Sequence, residues 1–358
     1  MLAAGLRDAG IDVVRAEPTI PALPNLSYRA LGLIGRDLGA FLTNYPLWSR
    51  YPKADIYHLT TQTLAPLLLL CRPKGRVVVT VHDLFPYMLR HDHRLRSPYV
   101  LSRLYHRLAM AGLKRADHLI AVSEYTRKCL VEYLDIRPEK ITVVYHGIDH
   151  DRFRRLTPTP ATRERYGLTE GRRYLIYVGS EDPRKNLGTL LGALARLRRE
   201  LSDVELIKVG RAHFEGERLR LLALASELGV QGAVRFLDDV SENDLPLLYN
   251  AADLFVTPSL YEGFGFPVLE AMACGTPVVC AKAGSLPEIV GSAGVQVSPC
   301  NVDTLSKTLT ALLTNKEKRT ALQRDSQKIA AEFTWSAAVQ STAAVYETTT
   351  TNGQILSS

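Results

Sequence analysis

Two carboxylates, Glu262 and Glu270, stand eight positions apart in a segment whose pattern suits a ligand site. Residues 254–275 run from an apolar stretch through a loop with two glycines into an apolar-faced stretch that ends at a glycine. This pattern predicts a buried strand, a loop and a short helix. Helical side chains lean toward the helix start, so we expect Glu270 to point back toward the loop that carries Glu262. Such a pair would accept hydrogen bonds from the hydroxyl groups of a ligand.

The start of this predicted helix suits an anion. Pro267 fits the first helical turn, where its missing N–H is not needed. We expect unpaired backbone N–H groups there, at the positive end of the helix dipole, and such groups attract phosphate. The expected donors are Gly265, Phe266, Val268 and Leu269. A ligand with phosphates and sugar hydroxyls would use the whole set, whereas the plainer alternative is an ordinary helix cap with a surface glutamate.

Cations are predicted at the same edge of the same sheet. Arg184 and Lys185 follow the predicted strand Tyr174–Gly179 and precede the predicted helix 187–200. Because the carboxyl ends of parallel strands share one edge, these cations would lie beside the loop of Glu262 and could neutralise a diphosphate. The alternative is a pair of solvated loop cations.

The first half of the chain contributes a polar pair, His82 and Asp83, directly after the β-branched strand Arg76–Val81. Ligands of open α/β sheets bind at such strand ends, although a histidine that only hydrogen-bonds a loop is the plainer alternative. An Asp-x-Asp pattern, Asp149 to Asp151, lies at the start of a predicted linker and outside any predicted site. We therefore expect no essential metal.

Length and composition indicate two domains, because 358 residues are many for a single core. No uninterrupted apolar run approaches membrane-spanning length, and the start of the sequence lacks the pattern of a signal peptide. Five cysteines, odd in number and without metal-ligand spacing, fit reduced thiols. We therefore expect a cytoplasmic protein.

Positive charge is concentrated in the first half. Residues 1–150 carry 20 Lys and Arg against 13 Asp and Glu, whereas the remaining residues carry 24 of each kind. A basic face favours peripheral contact with an anionic membrane, here the inner face of the plasma membrane, or an acidic acceptor; a merely solvated face is the common alternative. Nucleic acid is not an expected partner, since no helix-turn-helix, zinc or aromatic-rich recognition pattern accompanies the charge.

Alternating strand and helix patterns predict two α/β domains, each a doubly wound parallel sheet. The predicted segments are a first domain at 1–155, a linker at 156–172, a second domain at 173–333, a C-terminal helix at 334–347 and a disordered polar tail at 348–358. Within the first domain, a strand is predicted at Ile11–Val14 and a helix at Tyr28–Leu42.

The stretch 258–279 resembles the signature of glycosyltransferase family 4, a group of retaining enzymes with the GT-B fold. Its Glu262 and Glu270 match the E-x7-E motif, within Pro-Ser-Leu-Tyr-Glu-Gly-Phe-Gly and Glu-Ala-Met-Ala-Cys-Gly-Thr-Pro-Val-Val. Val-His-Asp, Ala-Val-Ser-Glu-Tyr-Thr and Val-Val-Tyr-His-Gly-Ile-Asp also resemble the family, so the resemblance runs from about Asp55 onward. It implies two Rossmann-like domains with a cleft between them. It also implies a strand and a glycine-rich loop before the first helix, and we expect the sequence to lack both.

The resemblance implies a role for each candidate residue of the second domain. Glu270 would bind the ribose hydroxyls of the nucleotide, Glu262 the hydroxyls of the transferred sugar, and Lys185 the diphosphate. Arg184 would assist, because Ser180 stands where the family often has a second cation. The remaining implied donor-binding positions are Gly263, Phe264, Gly265, Val268, Leu269 and, beside the base, Val240.

In the first domain, the resemblance implies that His82 faces the transferred sugar near its anomeric carbon and that Asp83 helps to bind the acceptor. The implied reaction retains the anomeric configuration, and the leaving phosphate takes the acceptor proton on the same face. It needs no metal and no cofactor besides the substrate.

We therefore predict a retaining hexosyltransferase that uses a GDP- or UDP-sugar and a glycan or lipid-linked acceptor in polysaccharide assembly. Mannose is favoured, because the loop 181–186 resembles that of members that transfer mannose. One alternative is a nucleotide-sugar epimerase of the same fold, which needs no acceptor. Another is a nucleotide-sugar-binding protein with impaired catalysis. A nicotinamide dehydrogenase is disfavoured, because no Gly-x-Gly-x-x-Gly follows a strand.

Overall fold

The structure of the chain is a computed structural model that describes residues 1–15, 52–85, 100–212 and 215–354. The chain forms two units. The first contains the described residues of Met1–Gly147 and of Trp335–Ser358, and the second is Ile148–Thr334. The C-terminal segment therefore belongs to the first unit, although it follows the second in sequence.

The first unit is an α/β unit in which helices and strands alternate. Its described elements are α1 (Leu2–Asp8), β1 (Ile56–Leu59), α2 (Leu67–Leu70), β2 (Arg76–Val81), α3 (Val100–Leu113), β3 (His118–Ala121), α4 (Glu124–Leu134), β4 (Ile141–Val143) and, after the second unit, α13 (Trp335–Gln354). The strands form a parallel sheet in the order β1-β2-β3-β4.

The valine run of β2 is explained by burial on both faces of this sheet. Side chains of a strand alternate between faces. Val77 and Val79 belong to the apolar cluster that contains Met110 of α3. Val78 points into the other cluster, where Val345 of α13 covers the sheet. A strand covered on both faces needs a continuous apolar sequence, which is the pattern that predicted it.

The second unit repeats this architecture with a larger sheet. Its described elements are α5 (Pro160–Arg165), β5 (Arg173–Val178), α6 (Leu187–Glu200), β6 (Val204–Val209), α7 (Glu215–Glu227), β7 (Val234–Leu237), α8 (Leu245–Ala251), β8 (Leu254–Thr257), α9 (Phe266–Ala273), β9 (Val278–Ala281), α10 (Leu286–Val290), β10 (Gly294–Val297), α11 (Val302–Thr314) and α12 (Lys316–Ala330). The parallel strands have the order β10-β9-β8-β5-β6-β7. The chain therefore reverses its direction of winding between β5 and β8. The predicted pair of parallel α/β sheets is confirmed.

Several predicted segments differ from the structure. The predicted strand at Ile11–Val14 was wrong: these four residues are irregular, and the Arg7 guanidinium donates to the carbonyl oxygen of Val13 at 3.1 Å. The predicted linker, 156–172, lies inside the second unit and contains α5, which Thr159 caps by accepting from the N–H of Thr162 at 3.1 Å. The predicted helix 28–42 lies outside the described residues.

The C-terminal helix also runs further than predicted. α13 continues to Gln354, whereas a disordered tail was predicted from Thr348. The threonine hydroxyls donate to carbonyl oxygens one turn earlier, as Thr348 does to Ala344 at 2.7 Å. Thr349 is buried as well. A polar threonine run can thus remain helical when its hydroxyls bond to the helix and one face packs.

Candidate functional site

The predicted ligand edge of the second unit lies at the reversal point of its sheet. β5 and β8 are neighbours, so the loops that follow them, 179–186 and 258–265, emerge side by side. Hydrogen bonds to the backbone join the loops: the N–H of Leu260 donates to the carbonyl oxygen of Arg184 at 2.7 Å, and the Asn186 amide donates to that of Pro258 at 3.1 Å. Reversal points of open parallel sheets are where such folds bind ligands.

Lys185 and Glu262 are brought together at this point. The Lys185 ammonium donates to both carboxylate oxygens of Glu262, at 2.6 and 2.8 Å. Arg184 lies 3.5 Å from the same carboxylate and donates to the carbonyl oxygen of Tyr261 at 3.2 Å. The side chains of Lys185 and Glu262 are only 13% and 14% exposed, so the ion pair is largely withdrawn from water.

The cations determine the charge state of Glu262. Burial alone would raise the pKa of this carboxyl, but the charges of Lys185 and Arg184, with hydrogen bonds from Lys185 and Ser259, hold it below its ordinary value. Burial lowers the pKa of Lys185, and the charge of Glu262 opposes that effect. Before a ligand binds, this part of the site is therefore an ion pair with one additional cation beside it.

The start of α9 offers fewer donors than predicted. Gly265 is its N-cap, in the left-handed conformation with φ 105°, which glycine adopts without strain. Its carbonyl oxygen already accepts from the N–H groups of Val268 and Leu269, at 3.0 and 3.2 Å. The prediction that Val268 and Leu269 present unpaired N–H groups was therefore wrong, because the first turn closes on Gly265. Their side chains are buried in the core.

Glu270 lies one turn inside α9 and is half-buried. One of its carboxylate oxygens, Oε2, accepts a hydrogen bond of 2.7 Å from the hydroxyl of Tyr249. Burial raises the pKa of Glu270, and the Tyr249 hydrogen bond and the charge of Arg152 oppose that effect. Within the described ranges, no salt bridge holds Glu270, in contrast to Glu262.

A third loop, after β9, holds the loop of Glu262 in place, and sequence reasoning missed it. Ser285 is fully buried; its N–H donates to the carbonyl oxygen of Glu262 at 3.1 Å and its hydroxyl to that of Phe264 at 2.7 Å. Gly284 has φ 58°, and a Cβ there would lie 2.5 Å from the Glu262 carbonyl oxygen. The Ala-Gly-Ser string at 283–285 was the available signal. The carbonyl of Phe264 is thus occupied, while Gly263 is half-buried.

Val240, the predicted base contact, lies past the end of β7 and is half-buried. It follows Asp238, which pairs with Arg218, a guanidinium that lies 4.7 Å from the ring centre of Phe236. Arg218 also donates to the fully buried Glu181, at 2.8 Å. Val240 therefore stands two residues after an aspartate of an ionic cluster at the same sheet edge.

In the first unit, His82 follows β2 as predicted, and its side chain is oriented by the backbone. Its Nε2 lies 2.9 Å from the carbonyl oxygen of Thr60 and therefore donates to it. Its own N–H donates to the side-chain oxygen of Gln62 at 3.0 Å. Asp83 accepts from the N–H of Phe85 at 3.3 Å, a turn contact.

A second histidine, His146, stacks on His82, which sequence reasoning missed. The ring centres are 5.3 Å apart at 21°, and Nε2 of His146 lies 3.4 Å from Nδ1 of His82. Because Nε2 of His82 donates to Thr60, a His82 ring that carries a single proton presents Nδ1 as the acceptor for Nε2–H of His146. Burial, and then the charge of His82, lower the pKa of His146 to about 4, so His146 stays neutral. Trp335 lies against His146, with ring centres 5.9 Å apart.

The Asp-x-Asp pattern has a local structural role. Asp149 accepts from the N–H groups of Asp151 and Arg152, at 3.1 and 3.2 Å, which forms a turn. Among the described residues, no group of three or more His, Cys, Asp or Glu side chains is placed to hold a metal ion. In the same ranges, no helix is both long and apolar enough to cross a membrane.

Two family models match the chain: Glycosyl transferases group 1 over residues 158–329 and Glycosyltransferase Family 4 over residues 1–152. An O-antigen chain mannosyltransferase B of Escherichia coli is 32% identical over 351 residues, covering 92% of this chain and 87% of the relative. An MMP alpha-(1->4)-mannosyltransferase of Mycolicibacterium hassiacum is 35% identical over 239 residues, covering 65% of this chain and 54% of the relative. The chain thus spans about half the length of this second relative.

Solved structures share the fold over nearly the whole chain. A sucrose-phosphate synthase from Thermosynechococcus elongatus has a TM-score of 0.75 at 22% identity. The superposed region covers 97% of this chain and 91% of the synthase chain. Anabaena HepE in complex with UDP and glucose has a TM-score of 0.70 at 26% identity, and the superposed region covers 82% of this chain and 78% of the HepE chain. The predicted GT-B fold is confirmed by these likenesses.

Proposed function

This chain belongs to the group 1 glycosyltransferases of family 4, and from this membership we propose that it transfers a hexose with retention of anomeric configuration and without a metal. The proposed donor is a GDP- or UDP-sugar, and the acceptor is a glycan or a lipid-linked sugar in polysaccharide assembly. Mannose is favoured, since the relatives at 32% and 35% identity are named mannosyltransferases. UDP stays a candidate donor base, because HepE, at 26% identity, is named in complex with UDP and glucose.

The observation that carries this proposal is the Lys185–Glu262 ion pair at the reversal point, beside the helix that holds Glu270. A diphosphate leaving group needs fixed cations, and sugar hydroxyls need carboxylate acceptors. In the proposed donor complex, the diphosphate takes hydrogen bonds from Lys185 and Arg184. The carboxylate of Glu262 is then released to accept from a sugar hydroxyl, and Glu270 accepts from the ribose.

The proposed reaction breaks the bond between the anomeric carbon and the β-phosphate oxygen. The acceptor oxygen bonds to that carbon on the same face, and its proton passes to the departing phosphate oxygen. The charge that builds on the diphosphate is balanced by Lys185 and Arg184. In this proposal, His82 acts in the transfer step rather than in nucleotide binding, and Asp83 helps to bind the acceptor.

The first experiment is thermal stabilisation of the chain by UDP, GDP, ADP and their sugar conjugates, beside Glu270→Ala. A ligand at about 100 times its Kd stabilises the folded state by about 2.7 kcal/mol. The proposal is supported if nucleotides of one base raise the melting temperature of the parent chain but not that of Glu270→Ala. That base is then the donor base. The stabilising sugar nucleotide is then incubated with glycan and lipid-linked acceptors. No shift with any nucleotide would contradict the proposal, and an epimer formed without acceptor would favour the isomerase alternative.

We also propose that the chain acts in the cytoplasm and contacts the inner face of an anionic membrane through α3. Leu104 and Leu108 lie one turn apart on this helix and are 49% and 43% exposed, and the exposed Lys114 and Arg115 directly follow its last residue. An apolar stripe with adjacent cations suits an anionic bilayer surface. The double variant Leu104→Ser/Leu108→Ser should float less with vesicles that contain anionic lipid. Equal flotation of the variant and the parent chain, or equal binding to purely zwitterionic vesicles, would contradict this contact.

A further inference from the structure

The hydroxyl of Tyr249 is the single hydrogen-bond donor that holds Glu270 among the described residues. Tyr249 lies on α8, which packs against α9, and its side chain is fully buried. Its hydroxyl donates to Oε2 of Glu270 at 2.7 Å, and Oε1 of Glu270 has no partner within the described part of the chain. One carboxylate oxygen is thus fixed, and the other is left for a ligand.

The tyrosine ring is packed within the core. It lies against Phe153 and Phe255, whose ring centres are 6.2 and 5.9 Å from its own. Its carbonyl oxygen accepts the hydroxyl of Thr276 at 2.7 Å, which ties α8 to the end of α9. Packing of the ring and a hydrogen bond to the backbone therefore both hold Tyr249, and its hydroxyl is positioned toward Glu270.

We propose that Tyr249 is a positioning residue for the nucleotide-sugar site: its hydroxyl fixes the carboxylate of Glu270 so that Oε1 is presented to the ribose hydroxyls. This inference rests on the proposed function, which supplies the ribose. A glutamate side chain has several rotatable bonds, and a ligand that must order them binds more weakly than one that meets an ordered carboxylate.

The hydrogen bond from Tyr249 also favours the ionised form of Glu270 and lowers its pKa. The groups that act on this carboxylate are Tyr249 from α8, Arg152 from the segment before α5, and Cys274 at the end of its own helix. Burial raises the pKa of Glu270, while Tyr249 and Arg152 oppose that effect. The pKa of Tyr249 is raised well above its ordinary value by burial, so its proton remains in place as a donor. Without the hydroxyl, Arg152 is the remaining group that opposes the effect of burial, so the pKa of Glu270 should rise further.

A protonated Glu270 no longer accepts a hydrogen bond as a carboxylate, so affinity for the nucleotide falls as pH decreases through the pKa of Glu270. In Tyr249→Phe this fall should begin at higher pH. At neutral pH the variant should bind the nucleotide roughly 10-fold more weakly, which is the scale of one hydrogen bond to a charged group. The turnover number should change less than KM, because Tyr249 does not contact the reacting atoms.

The matched control is Tyr174→Phe. Tyr174 is also buried in the second unit, but its hydroxyl pairs with the backbone of Thr169, before β5. Tyr174→Phe should lose as much stability as Tyr249→Phe does, but it should keep the nucleotide affinity of the parent and the pH dependence of that affinity. Calorimetric titration of GDP and UDP into the full chain, from about pH 5 to about pH 8, compares the parent, Tyr249→Phe, Tyr174→Phe and Glu270→Gln.

The outcomes separate the two proposals. The inference is supported if Tyr249→Phe binds the nucleotide more weakly and its affinity begins to fall at a higher pH than that of the parent, while Tyr174→Phe binds as the parent does. If the parent binds a nucleotide and Tyr249→Phe binds it equally at every pH, the inference is overturned while the proposed function stands. If Tyr249→Phe and Tyr174→Phe weaken binding alike with no displaced profile, Tyr249 is merely structural. If the parent binds neither nucleotide, the proposed function and this inference fail together.

Discussion

The Lys185–Glu262 ion pair provides the sharpest test of the candidate site, because the two side chains neutralise each other out of water. Lys185→Met removes the ammonium, and the carboxylate then retains one of its two cations, Arg184 at 3.5 Å, and the hydrogen bond from Ser259. Removal of one partner of a buried ion pair costs about 3–5 kcal/mol. Because Arg184 and the remaining exposure compensate in part, we expect a loss of about 2–4 kcal/mol at neutral pH.

The loss should depend on pH in a defined direction. The folded-state pKa of Glu262 is depressed, so its contribution to stability is present above the unfolded-state pKa and is lost as pH falls through the folded-state pKa. In Lys185→Met, burial dominates and the pKa of Glu262 rises. The difference in free energy of unfolding between the parent and Lys185→Met should therefore be largest near neutral pH. It should shrink in acid, because the carboxylate becomes neutral in both proteins.

The assay must report on the second unit alone. Both tryptophans, Trp48 and Trp335, stand outside Ile148–Thr334, so tryptophan fluorescence does not follow this unit. Hydrogen exchange of peptides from β5 and β8 under native conditions does. The control is Lys307→Met, on the exposed side of α11: it removes the same charge, and Lys307 forms no ion pair with any residue that the structure describes.

Two outcomes would refute the reasoning. One is a stability of Lys185→Met within about 0.5 kcal/mol of that of Lys307→Met, the scale of an ordinary surface change. The other is strict additivity with Glu262→Gln, since partners in contact must show a coupling energy of about 0.5–3 kcal/mol.

Gly284→Ala should cost about 3 kcal/mol and weaken nucleotide binding, because its Cβ would strike the backbone of Glu262; chemical denaturation should show a smaller loss for Gly171→Ala, which has φ 79° but open space. His82→Ala should lower the turnover number by about 100-fold while donor affinity changes little, and normal turnover would remove His82 from the reaction. His146→Phe keeps a stacked ring but loses the donor to His82, so steady-state kinetics should show an intermediate loss; a loss as large as that of His82→Ala would contradict a purely orienting role.

The local elements of this protein are encoded in short stretches of sequence. The valine run of β2 and the apolar run of β8 are each buried on both faces of a parallel sheet, and that environment requires such runs. The order of strand, glycine loop and helix around Glu262 is likewise local, because Gly265 is needed for a left-handed N-cap. These features identify two parallel sheets and the strand ends where polar residues collect.

Polarity alone misled the sequence interpretation elsewhere. Residues 156–172 and the threonines after Thr348 have the composition of a linker and a tail, yet both segments contain helix. Their polar groups find partners in the fold: Tyr166 donates to Asp244 at 2.8 Å, and the threonine hydroxyls bond to the preceding turn. Such satisfaction depends on neighbours that composition does not reveal.

By itself, then, the sequence determined which residues stand at the ends of which strands, and through the E-x7-E string the family. The tertiary structure decided how those residues meet: Lys185 on Glu262, Tyr249 on Glu270, and Ser285 on the loop between the two glutamates. The first two of these pairs join residues 77 and 21 positions apart. The order of strands and the packing of helices create such contacts, and periodicity along the chain does not encode them.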